Sequence, residues 1–87
     1  MRSQTGIIKD FIGSWNSGIA ILTIEREDGT TQLIYCDNAP TVRALDATFG
    51  NVIDGHAVNL QAILGKKIRY GLDETGFILA WIRGVEE

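Results

Sequence analysis

The sequence predicts a small, mainly β domain: a five-stranded barrel with one helix, in the order β-β-β-α-β-β. Three observations carry that prediction. Ten glycines punctuate short apolar runs, as in strands joined by tight turns. Two segments, Asp28-Gly29 and Asp73-Glu74-Thr75-Gly76, carry hairpin turn chemistry. Only one long stretch, Pro40 to Gly50, has its apolar residues at helical spacing.

The first strand is predicted over Thr5–Ile12, with Ile8 and Ile12 on one face and Ile7 and Phe11 on the other. Gly13 to Gly18 is a loop by composition and contains Trp15. The second strand, Gly18 to Glu27, carries Ala20, Leu22 and Ile24 on one face and Ile19, Ile21, Thr23 and Glu25 on the other. Both faces are apolar near its start, which predicts burial on two sides. Asp-Gly tolerates positive φ at both centres of a type I′ turn. A two-residue turn there would set Ile24 opposite Leu33, Leu22 opposite Tyr35 and Ile21 opposite Cys36 on the third strand, Thr30–Cys36.

The helix follows. Pro40 suits a first turn, whose N–H groups lack intrahelical partners. Val42, Leu45 and Phe49 form one apolar stripe, and Gly50 ends it as a C′ glycine does. Arg43, Asp46 and Thr48 take the solvent side, and Asp37 beside Asn38 reads as a capping group. A shorter helical turn is predicted from Leu60 to Leu64, capped by Asn59 and stopped by Gly65. The fourth strand, Lys66–Leu72, alternates: Ile68, Tyr70 and Leu72 point inward, Lys67 and Arg69 outward. After the Asp73–Gly76 turn, Phe77–Ile82 returns as a nearly continuous apolar strand.

In layout this order resembles the oligonucleotide/oligosaccharide-binding (OB) barrel, a five-stranded Greek-key barrel with a helix between its third and fourth strands. An SH3-like barrel with an inserted helix matches the same order. Either fold hosts many functions, so the resemblance implies architecture and little about activity.

Composition narrows the class. The chain has 87 residues, 45% of them hydrophobic, and a formal net charge of -3, the balance of a globular domain rather than a disordered chain. The whole of it reads as one domain. One cysteine, Cys36, cannot form an internal disulfide, so burial must hold the fold. The longest apolar run, Phe77–Ile82, is far shorter than the roughly 20 residues that span a bilayer. The first residues show no apolar signal segment. A soluble cytoplasmic protein is expected.

The chemistry-bearing constellations are few. A structural zinc site needs clustered Cys and His ligands, and the chain has one of each. Asp54-Gly55-His56 reads as a polar turn. Cys36 sits among Leu33, Ile34 and Tyr35, with no cation in the sequence beside it to activate a thiolate. Asp37, Asp46, Asp54 and Asp73 fall at element ends, where aspartate caps and turns. No phosphate-loop glycine pattern occurs. The expectation is a protein without catalytic residues, metal or cofactor.

Two functional readings follow. The first is a non-catalytic interaction module that self-associates as a homo-oligomer through its two-sided apolar strands, Gly18–Ile24 and Phe77–Ile82. Its binding residues would be Trp15, Phe77, Leu79 and Trp81: a strand apolar on both faces and left at an edge invites pairing with another chain. The alternative is a single-stranded nucleic-acid binder of the OB class using Lys66, Lys67, Arg69 and Trp15. The acidic pI of about 5.0 opposes a polyanion at long range. Alternation also sends Tyr70 to the face opposite Lys67 and Arg69.

Overall fold

The structure is a computed structural model that describes residues 3–13, 18–55 and 57–85. In chain order it comprises β1 (Ser3–Ile12), β2 (Ile19–Arg26), β3 (Thr31–Asp37), α1 (Asn38–Phe49), a minimal ribbon of β4 (Ile53–Asp54) and β5 (Ala57–Val58), a 3-10 turn over Leu60–Ala62, β6 (Lys67–Leu72) and β7 (Leu79–Gly84). Five strands form one antiparallel sheet in the order β3-β2-β1-β6-β7. The predicted mainly β chain with one helix is therefore present. The sheet does not close. Its ends approach each other where Tyr35 bridges Ile78 in parallel sense and the Tyr35 N–H donates to the Phe77 carbonyl at 2.8 Å.

The β2–β3 register differs from the predicted one by a single residue. Arg26 N–H donates to the Thr30 carbonyl at 2.8 Å and Gly29 N–H to the Arg26 carbonyl at 2.9 Å, so the loop holds three residues, Glu27 to Gly29. Gly29 has φ +86°, the left-handed residue that such a loop requires. The Asp28 carboxylate accepts from the Thr30 N–H and hydroxyl at 2.9 and 2.6 Å. The observed pairs are Ile24 with Gln32, Leu22 with Ile34 and Ala20 with Cys36. Because side chains alternate, one residue of slip exchanges the two faces of a strand. Ile34 and Cys36 enter the core, while Leu33 and Tyr35 face outward.

A second parity change occurs in β1. Its pairing with β2 slips between Ile8 and Asp10, a bulge that puts an extra residue on β1. Ile8 and Phe11 consequently share the buried face, and Ile12, predicted to lie with Ile8, is 61% exposed. A third slip, between Gly71 and Leu72 of β6, sets Leu72 opposite Leu79 while Gly71 faces Trp81. The alternation predicted for β6 holds: Ile68 and Tyr70 are buried, Lys67 and Arg69 exposed. The Asp73–Gly76 turn also forms, with Gly76 N–H on the Asp73 carbonyl at 3.1 Å and Gly76 at φ +79°.

α1 runs as predicted and buries Thr41, Val42 and Leu45. It lies so close to β7 that a Cβ on Gly84 would sit 2.6 Å from Phe49 and Thr48 side-chain carbons. Asp37 occupies the N-cap position without a capping side-chain bond. Asp46 is half-buried rather than solvated, and its carboxylate accepts the Val52 N–H at 3.0 Å, tying the following segment to the helix. Asn59 does not cap the turn after it; its amide donates to the Asn51 carbonyl at 3.0 Å. The core is continuous, from Ile8 and Phe11 through Leu22, Ile24 and Ile34 to Leu45, Ile63, Ile68 and Tyr70. Each such fully buried side chain contributes about 1.5–3 kcal/mol of transfer free energy.

Candidate interaction surface

Residues paired across an antiparallel ladder share a face, so the register lays out the outer surface of the sheet row by row. Ile12 pairs with Ile21, Ile21 with Tyr35, and Tyr35 bridges Ile78. That is an apolar row crossing three strands and reaching the approach to β7. Ile12, Tyr35 and Ile78 are exposed and Ile21 is half-buried. Leu33 and Ile19 flank the row on β3 and β2, and Phe77, 62% exposed, adjoins Ile78. Isolated exposed aliphatics are ordinary, whereas contiguous ones mark contact surfaces.

The β3 edge adds unpaired main chain. Tyr35 sends its N–H away from β2, toward Phe77. By the alternation of an antiparallel ladder, Thr31 and Leu33 turn their main-chain groups to the same open side. From that end Gln32 reaches across, its amide donating to the Gly76 carbonyl at 3.1 Å.

The residues anticipated for binding separate. Phe77 lies on the surface beside the apolar row. Leu79 is half-buried and packs against the core. Trp81 is half-buried and packs against Gly71, where an added Cβ would collide with the indole. Trp15 and His56 lie outside the described residues. The second strand is not buried equally on both sides as predicted: its Ala20–Leu22–Ile24 face is sealed, while Ile19 on the other is 71% exposed. Ile19 belongs to the strand Gly18–Ile24 expected to make contact, whereas Leu33, Tyr35 and Ile12 lie outside both expected contact strands. The one available signal was the third residue of the loop, since Glu-Asp-Gly also suits a three-residue turn with a left-handed glycine.

The chemistry elsewhere is spare. Among the described residues no group of three His, Cys, Asp or Glu is placed to hold a metal ion. The Cys36 thiol is buried, donates to the Ala20 carbonyl at 3.7 Å, and has its pKa raised mainly by loss of solvent. That keeps it protonated and unreactive. Asp28 and Asp73 have lowered pKa values because Thr30 and Thr75 hydroxyls, together with main-chain N–H groups, hydrogen-bond their ionised forms. Both carboxylates serve their turns.

Lys66, Lys67 and Arg69 lie at and along β6, away from the apolar row. Arg69 pairs directly with Arg83 of β7, and Lys66 Nζ sits 6.0 Å from the Phe49 ring. No helix among the described residues is long and apolar enough to cross a membrane. Compared with protein-family models, with curated proteins and with solved structures, the chain finds no match in any of the three.

Proposed function

We propose that this protein is a non-catalytic assembly module that self-associates through the outer face of β1–β3. The observation that carries the reading is the apolar row Ile12–Ile21–Tyr35–Ile78, with Ile19, Leu33 and Phe77 around it. A standard interface takes about 800 Å² from each partner, roughly a seventh of this molecule's 5299 Å² of accessible surface. An isologous dimer presents the same apolar row from both copies, so the surface is complementary to itself.

The architecture under this reading is an open OB-type barrel. The helix follows the third sheet strand, and the single parallel contact between β3 and the approach to β7 lies where such a barrel would close. In OB barrels the second and third strands form the usual recognition face, and here that face is apolar.

Sedimentation velocity over a concentration series tests the proposal. The wild-type chain is expected to dimerise in the micromolar range, and the double variant L33K/Y35K to sediment as a folded monomer. Both positions are exposed, so the fold tolerates the change. A wild-type chain that stays monomeric at high micromolar concentration overturns the reading.

A further inference from the structure

We infer that, in the assembly proposed above and on which this rests, Phe77 of each copy seats in the cleft between α1 and β7 of the other. The partner is a second copy of this chain, related to the first by a two-fold axis that runs along the apolar row.

Both halves of the contact lie on the seam of the open sheet. Tyr35 bridges Ile78, and Phe77, the residue before Ile78, is 62% exposed. On the other side of the bridge the seam widens where β3 gives way to α1. Asp37 stands two residues beyond Tyr35, on the same outer face of β3, and lines a cleft of about 350 Å³. Pro40 and Ala44 of α1 line it from one side, Leu79 and Ala80 of β7 from the other. An apolar cavity of roughly 150 Å³ holds a benzene ring, so a phenyl group has room here.

The strand pairing dictates how two copies meet. Ile12, Ile21, Tyr35 and Ile78 form a line across the strands. When two such faces stack about an axis lying on that line, each of these residues meets its own counterpart, and what stands on one side of the line meets what stands on the other. Phe77 and Leu79 stand one residue before and one after Ile78, each about 3.3 Å from it along an extended chain. The axis therefore exchanges them, and Phe77 of one copy arrives at the cleft of the other. An aromatic side chain buries about 150–250 Å². At 51% and 62% exposure, Tyr35 and Phe77 hold open roughly a quarter of the 800 Å² or so that each partner gives to a standard interface. A small apolar ligand would fill the cleft and leave both rings in water, whereas a second copy covers all three.

Sedimentation velocity over a concentration series tests the arrangement by complementation. F77A removes the inserted ring and A80W fills the cleft; both positions are exposed, so the monomer fold bears either change. Each variant alone is expected to weaken dimerisation about tenfold or more, as loss of a central aromatic anchor does. I53A, at an exposed position of β4, should dimerise as the wild type does. An equimolar mixture of F77A and A80W is expected to form heterodimers more tightly than either forms homodimers, because the intact Phe77 of A80W enters the open cleft of F77A. Neither a misfolded variant nor a general loss of apolar area gives that recovery. Unchanged dimerisation in F77A or in A80W, or a mixture no tighter than its parts, overturns the inference and leaves the assembly reading standing. Toluene bound in the cleft of the intact dimer, seen as NMR shifts at Ala80, assigns the cleft to a small apolar ligand and also overturns the inference. A wild-type chain that stays monomeric removes the assembly reading and this inference with it.

Discussion

Asp28 and Asp73 repeat one device at two turns: a carboxylate that accepts from the N–H and hydroxyl of the threonine two residues on. Both pKa values are lowered in the folded chain, chiefly by the threonine hydroxyl. As pH falls, the unfolded chain, with aspartates titrating near about 3.9, takes up protons before the folded one does. The stability these groups contribute is therefore complete above that pH and disappears as pH falls through the lower folded values. Urea midpoints measured against pH should drop in this acid window for the wild type and less steeply for D28N/D73N. Gly71 makes a different demand at the same scale. It lies under Trp81 because a Cβ would overlap the indole, so G71A should cost about 1–3 kcal/mol through overpacking, measured by chemical denaturation.

At the scale of elements, the β2–β3 hairpin shows how one loop residue determines a surface. The register puts Ile34 at 0% exposure and leaves Leu33 59% exposed. I34A should cost about 2–5 kcal/mol, while L33A should stay within about 0.5 kcal/mol of wild type. The two-residue loop would predict the reverse pattern, so denaturation of these two variants discriminates the registers. The bulge in β1 acts in the same way, aligning Ile8 with Phe11 and expelling Ile12. Both shifts feed the same outer face. Without them Tyr35 and Ile12 would point into the core and no apolar row would form.

For the whole molecule, one core spans the sheet and one end of it is covered by α1. Cys36 sits within that core at 2% exposure, so its thiol is a reporter of global opening. Its reaction with a disulfide reagent should be slow under native conditions and accelerate with urea in step with loss of tertiary signal. Rapid labelling of the native protein would contradict the burial. The same scale brings the apolar row of β1–β3 to the cleft between α1 and β7. A chain of this size has a thin stability margin, and dimerisation would raise its apparent melting temperature with protein concentration.

Much of this was legible from local chemistry. Asp73–Gly76 announced its turn, Pro40 and Gly50 bracketed the helix, and Ile68–Tyr70–Leu72 declared the inward side of β6. Asp28-Gly29 marked its turn too, but its loop length did not follow from the dipeptide. Such features depend on a few adjacent residues: a glycine free to take positive φ, a side chain bonding its own backbone, an apolar period of two or of 3.6. The amino-acid order by itself determined the class of fold, the sites of its turns and the absence of a disulfide framework.

Tertiary structure alone decided which side of β3 meets water and which side chains stand together across strands. Arg69 and Arg83 are separated by a whole hairpin, and Ile12, Ile21, Tyr35 and Ile78 by most of the chain. Their juxtaposition depends on parity, which a single bulge or an extra loop residue inverts, and parity is set by the packing of the entire core.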